Sequence, residues 1–256
     1  MKKPHAMAAA QNRSLERGVD ILQSFRPGAD LLGNGELAER TGLSRATVSR
    51  LTQTLVSTGL LEHDRRQRAY RLAAPVLSLA HAMRSGSPVL HVVAPMMRKV
   101  AEKLKVNVGL AVADRDEMVY LESVRYNRKV SLRNVVAGQR VPIELTSLGR
   151  AWLAVATEAQ RQELFAHFKA RRAAGWDALK REIDDAIQSV QVQGYCVAAW
   201  QAEVVALAAP IVVKDHPIYV LNMSVTTQAS MDVVANDLRQ YLLNLASQVR
   251  EEISSL

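Results

Sequence analysis

The sequence predicts two domains of the α+β class, a small helical unit closed by a β-hairpin and a larger unit in which helices flank an antiparallel-rich sheet. Three observations predict it. Apolar residues recur at helical spacing over residues 14–73 and end in a basic turn between two short apolar runs. Proline and glycine punctuation follows, at Pro75 and from Gly86 to Pro88. Beyond it, alternating stretches such as VNVGLAVADRDEMVYLESV intermix with longer helical ones, an order that favours hairpins with helices packed over them.

Taken in order, residues 1–13 (MKKPHAMAAAQNR) lack an apolar segment and read as a disordered leader. Leu15, Val19, Leu22 and Phe25 then mark a first helix, with Ser14 placed to cap it and Pro27-Gly28 to end it. After a Gly/Asn loop, Glu36 to Thr41 forms a short helix that turns Leu37 and Ala38 inward and stops at Gly42. Ser44 caps a third helix running to about Thr58 and closed by Gly59. Two helices joined by a tight glycine-containing turn outline a helix-turn-helix.

A wheel of the third helix places Val48, Leu51 and Leu55 on one side, with Thr52 at its margin. Ala46, Ser49, Arg50 and Gln53 fall opposite, and Arg45 and Thr47 flank them at the N-terminal end. That face is small, polar and positive. Arginine can bridge guanine O6 and N7, glutamine can pair with adenine, and short Ser44, Thr47 and Ser49 permit close approach to phosphates. A solvated helix face is the bland alternative. Leu60-Leu61, a polar turn over Asp64 to Gln67 and Ala69-Tyr70-Arg71-Leu72 then read as a hairpin bearing Arg65, Arg66 and Arg68. A hairpin beside such a helix is a wing, and its arginines suit phosphates or a minor groove. The expected ligand is double-stranded DNA, the domain a winged helix-turn-helix over 14–73.

Charge distribution supports this. Residues 1–73 carry twelve Lys and Arg against seven Asp and Glu, leaving twenty-one against eighteen for the rest of a chain whose net charge is +8. A membrane surface is disfavoured, because the third helix has no Trp or Phe to insert and no apolar run reaches eighteen residues.

Residues 74–95, with Leu77, Leu79, Ala80 and Met83 before the Gly86-Pro88 break, read as a connecting helix and linker. The second domain, 96–256, opens on a helix from MRKVAEKL. A hairpin turns at Asp114 to Glu117, and a strand pair is expected around Ala137-Gly138. Helices follow at about 147–157, 158–169 and 177–193. Strands come at about 203–213 and 218–226, and a helix from about Ser230 closes the chain.

Catalytic signatures are missing from this sequence. The six histidines (5, 63, 81, 91, 167 and 216) lie too far apart for metal-ligand spacing, and no phosphate-binding glycine motif occurs. Cys196, the single cysteine, reads as a small core residue and fits a reducing cytoplasm. Asp184-Asp185 among Lys180, Arg181 and Glu182 reads as a solvated face. No catalytic residue, metal or cofactor is expected. The rival class is a metabolite-binding protein or enzyme whose basic N-terminal module makes protein contacts.

The segments SLERGVDILQSF and ELAERTGLSRATVSRLTQTLVSTGLLEHD resemble the winged helix of the IclR (isocitrate lyase regulator) family of bacterial transcription regulators. VPIELTSLGRAWLA resembles the family's Pro-x-x-x-Thr-x-x-Gly-Lys-Ala stretch, and GYCVA, ALAAPI and VLNMSV resemble later strands. The resemblance implies a GAF-like or PAS-like effector domain, a homodimer or dimer of dimers (a homotetramer), and a DNA operator as partner. It implies repression modulated by a small organic acid, aromatic acids included. The family's pocket falls on Ser147 and Leu148 at the helix-opening turn, Asn222 and Ser224 on the late strand, and Ala206 where many members have cysteine. Thr146, Ser147 and the backbone N–H groups behind them offer a helix N-terminus to a carboxylate. One stretch departs from the family: AAWQAEVV is short and nearly uncharged, with Ala198 to Gln201 replacing carboxylates and Glu203 near the place of a glycine.

Overall fold

The computed structural model describes residues 12–126 and 136–256, and contacts divide the chain into two compact units between Arg84 and Ser85. In the first unit, α1 (Arg13–Gln23), α2 (Asn34–Thr41) and α3 (Arg45–Ser57) surround Ile21, Leu37 and Val48, none of which reaches solvent. A small antiparallel sheet adds β2 (Leu61–Asp64), β3 (Ala69–Leu72) and a two-residue strand β1 (Leu32–Gly33) beside β3. Each fully buried aliphatic side chain here contributes about 1.5–3 kcal/mol.

Several expectations are corrected in this unit. The start of α1 falls inside the expected leader, because Asn12, not Ser14, is the cap: its Oδ1 accepts from the N–H groups of Ser14 and Leu15. Residues 1–11 of that leader lie outside the described residues. Leu15 and Val19 stand exposed, and Ile21, absent from the expected stripe, takes the core position. The loop before α2 holds β1, and α2 starts at Asn34, with the Glu36 carboxylate accepting the Gly33 N–H at 2.9 Å. Thr52 is no margin residue: it is fully buried, and its hydroxyl donates to the carbonyls of Val48 and Ser49.

After α4 (Pro75–Ser85), α5 (Pro88–Leu104) occupies most of the segment expected to be linker. Pro88 sits in the first turn, where a missing N–H costs nothing, and Ser87 caps that turn through Leu90 N–H. Pro95 inside α5 forgoes one helical bond, but Val93, Ala94, Met97 and Ala101 bury the same face and hold the helix together.

Among the described residues, six antiparallel strands form the sheet of the second unit, ordered β6 (Arg140–Pro142), β5 (Glu117–Val124), β4 (Asn107–Asp114), β9 (Tyr219–Thr226), β8 (Val204–Ile211) and β7 (Cys196–Gln201). Side chains alternate across it. Val108, Leu110, Leu207, Leu221 and Met223 face α5 and α9 (Met231–Ser254). Ala111, Met118, Cys196, Ala208 and Val220 face the opposite layer, α6 (Ser147–Val155), α7 (Glu158–Arg171) and α8 (Trp176–Gln193). β7 is an edge strand, and Ala198 to Gln201, the stretch that departs from the family, is its second half. β6 pairs with β5, and the partner strand expected before Ala137 lies mostly outside the described residues.

Candidate nucleic-acid interface and effector pocket

In the first unit Ser44 Oγ accepts the Thr47 N–H and contacts Thr47 Oγ1 at 3.0 Å, which orders the first turn of α3. With Val48, Leu51, Thr52 and Leu55 inward, Arg45, Arg50 and Gln53 are exposed, and Thr47 and Ser49 are half-buried beside them. The wing turn carries Arg65, Arg66 and Arg68, all exposed. Asp64 shapes that turn: its Oδ1 accepts from Arg66 N and Gln67 N at 3.0 Å, and its Oδ2 pairs with Arg71 at 2.6 Å. The Gln67 N–H, with Arg66 and Arg71, holds the Asp64 carboxyl below its ordinary value. Arg68 adopts a left-handed φ of 50°, and His63 stacks on Tyr70 behind the hairpin. The result is a capped helix and a braced turn, both presenting guanidinium groups to solvent.

In the second unit the row Cys196, Ala208, Asn222, Gly109, Ser123 crosses the sheet in register on one face. The adjoining row is Ala198, Ala206, Ser224, Asn107. A cavity of about 50 Å³ opens at the polar end of these rows, walled by Asn107, Gly109, Tyr120, Ser123, Arg125, Asn222 and Ser224 with Gln201 and Thr226. Asn222 is 5% exposed; its Nδ2 donates to the Tyr120 hydroxyl at 3.4 Å, and its Oδ1 is unpartnered. Burial pushes the Tyr120 phenol up to about 12, against opposing pulls from Asn222 and the Arg125 guanidinium. A Cβ at position 109 would lie 2.4 Å from Asn222 Oδ1 and 2.5 Å from the Tyr120 ring, so only glycine leaves both in place.

The structure thus joins Asn222 and Ser224 at one cavity; Ala206 pairs with Ser224 across the sheet, and neither it nor Ser147 or Leu148 is among the cavity's walls. Ser147 and Leu148 are 1% exposed in the core under α6, the Ser147 carbonyl accepting the Cys196 thiol at 3.4 Å. Thr146 takes the Gly149 N–H on its own hydroxyl, so the buried start of α6 is already capped from within. Ala206 is buried between Ala198 and Ser224. Sequence reasoning missed Asn107, Gly109 and Tyr120, because their neighbourhood arises only when β4 pairs with β5 on one side and β9 on the other.

The stretch TSLGR has a geometric reason. Thr146 Oγ1 donates to the Pro142 carbonyl at 2.8 Å, and a Cβ on Gly149 would lie 2.1 Å from the Ile143 carbonyl oxygen. Proline, threonine and glycine at this spacing fold the chain tightly against the opening of α6. Arg150 is 7% exposed, its Nε donating to the Glu144 carbonyl and its Nη2 reaching Glu182 at 2.7 Å. Glu144 is fully buried and accepts from both Arg171 and Arg172.

Two sequence models match. The IclR helix-turn-helix domain covers residues 14–65, and the C-terminal model of bacterial IclR transcriptional regulators covers residues 81–254. The chain belongs to the IclR family of bacterial transcriptional regulators. It is 29% identical to the regulator TsaQ1/TsaQ2 of Comamonas testosteroni over 245 residues, 94% of this chain and 88% of that protein. An IclR family regulator from Brucella abortus superposes with a TM-score of 0.87 at 31% identity, covering 95% of this chain and 94% of the other. An IclR homologue from Microbacterium hydrocarbonoxydans, solved with 4-hydroxybenzoate, shares the fold with a TM-score of 0.67 at 22% identity, covering 95% and 100%.

Other features of the IclR-type chain bear on chemistry. Cys196 is fully buried, and burial pushes its thiol up to about 12, which disfavours the thiolate. Among the described residues, no group of three His, Cys, Asp or Glu is placed to hold a metal, and no helix is long and apolar enough to cross a membrane. Lys180 pairs with Asp184 on an exposed helix face. Trp200 of β7 lines a cleft of about 550 Å³ with Leu145, Ala199 and Met231, so the segment that departs from the family still walls a depression. Glu203, near the place of the family glycine, holds a left-handed φ of 60° between β7 and β8.

Proposed function

We propose that this cytoplasmic regulator grips operator DNA with α3 and the wing, and that an organic acid bound in the second unit changes the grip. The observation that carries the reading is the pairing of an exposed Arg45/Arg50/Gln53 face with an exposed Arg65/Arg66/Arg68 turn in one small unit. Arg50 and Gln53 read base edges; Ser44, Arg45, Thr47 and Ser49 approach phosphates, and the wing arginines hold the backbone or a minor groove. Asn222 and Ser224 supply the polar contacts to effector, with Ser147, Leu148 and Ala206 forming the support beneath. Bound 4-hydroxybenzoate in the Microbacterium homologue favours an aromatic acid among the candidates.

Exposed Leu77, Leu79 and Met83 on α4, a helix with no buried residue, support assembly as a homodimer or dimer of dimers. Effector binding then changes the spacing of paired recognition helices. A regulator that only occupies its operator blocks polymerase, so repression is the simplest output. Gel shifts with DNA upstream of its own gene test the reading. A retarded band that an organic acid weakens or strengthens supports it, and failure to shift any such fragment refutes it.

A further inference from the structure

We infer that Asp64, an acid set among the wing arginines, is a positioning residue for the grip on DNA: its side-chain oxygens hold the turn that aims Arg65, Arg66 and Arg68, so deleting this acid weakens binding to a polyanion. The inference rests on the reading of α3 and the wing as a DNA-binding surface and adds the part that sets the wing's geometry. Asp64 faces Ala69 at the last rung of the hairpin, so residues 65–68 form the loop between the strands. Arg65, Arg66 and Arg68 carry like charges that push this loop apart. Arg68 also holds a left-handed φ of 50°, which costs free energy for any residue with a Cβ. A loop of this composition spreads unless something braces it.

The Asp64 carboxylate is that brace. Its Oδ1 accepts from the backbone N–H groups of Arg66 and Gln67, both at 3.0 Å, which fixes the tip from within. Its Oδ2 holds the Arg71 guanidinium at 2.6 Å and so ties the tip to the returning strand β3. Arg71 is thereby engaged in the protein and not on a phosphate. The two effects of the carboxylate on a duplex have opposite signs. As an exposed charge it repels phosphates, worth about fivefold in affinity at most at a salt-screened surface. As a brace it orders the turn before binding, and having the backbone of even one residue already fixed is worth about fivefold to thirtyfold. Bracing is the larger effect.

The test compares two substitutions that remove the same charge. Asp64→Asn keeps a side-chain oxygen for the Arg66 and Gln67 N–H groups, and Asp64→Ala keeps none. Affinity of the full chain for a mixed-sequence DNA duplex long enough for two half-sites is read by fluorescence anisotropy at fixed salt. Asp64→Ala should bind about tenfold more weakly than the unaltered chain. Asp64→Asn should bind at least as tightly as the unaltered chain, because the repelling charge is gone, the turn stays and Arg71 comes free. Amide hydrogen exchange at Arg66 and Gln67 should quicken in Asp64→Ala alone, which locates the loss in the turn. Equal tightening by both substitutions overturns the inference, since Asp64 would then act only as a repelling charge. Equal weakening overturns it as well, since the lost charge and not the lost turn would be at work. Failure of the unaltered chain to bind any duplex, including the DNA upstream of its own gene, overturns the DNA reading and this inference with it.

Discussion

Gly149→Ala is the sharpest perturbation of the fold that builds the effector unit. The added Cβ would stand 2.1 Å from the Ile143 carbonyl oxygen and 2.2 Å from its Cα, against ordinary contacts beyond 3.4 Å. Both atoms are backbone, so no side chain can swing aside; α6 must move by about 1 Å or more from the turn at Ile143. Overpacking of this kind costs about 1–3 kcal/mol. The shift also pulls Gly149 N–H from Thr146 Oγ1, a cap worth about 0.5–2 kcal/mol. A total of about 1.5–5 kcal/mol lowers Tm by about 3–20 °C in a unit of this size. Thermal unfolding followed by near-ultraviolet circular dichroism, with Trp152 of α6 as a reporter, reads it directly. A variant melting within a degree of the parent would refute the close approach of α6 to Ile143.

Further outcomes follow from the same geometry. Arg50→Ala should cost about 1–3 kcal/mol against the operator and relax base preference, whereas Arg66→Ala should weaken all duplexes alike, both read by fluorescence anisotropy. Glu203→Gly should stabilise the chain by about 0.5–1 kcal/mol in urea unfolding, because glycine relieves the left-handed backbone at φ 60°. Stability should fall as pH rises from about 9 to 12: Cys196 ionises near 9 once unfolded but near 12 when folded, so high pH favours the unfolded chain. Denaturation midpoints across that range check this, and Cys196→Ala should flatten the part of the slope that Tyr120 and Tyr219, both raised by burial, do not supply.

Local signals made the DNA-binding unit legible. Ser44, Gly42 and Gly59 are read by backbone chemistry within a few residues, and the structure keeps all three at helix ends. Periodicity misassigned what depends on tertiary contact: Thr52 is buried because its hydroxyl is satisfied by its own helix, and β1 exists only because β3 pairs with it. Prolines misled at α5, where burial outweighs Pro95. Family resemblance pointed to Asn222 and Ser224, but no pattern along the chain marks Gly109 or Tyr120 as their neighbours. Their placement depends on register across three strands, which a linear sequence does not display.

The central claim is that exposed guanidinium groups on α3 and the wing hold a duplex, and a salt titration of operator binding tests it most directly. With Arg50 on a base, Arg45, Arg65, Arg66 and Arg68 leave four phosphate contacts per unit, and a dimer should give a slope of log affinity against log salt of about −7. Triple replacement of the wing arginines by alanine should flatten that slope to about −2. A slope indistinguishable from zero in the unaltered protein would contradict the account.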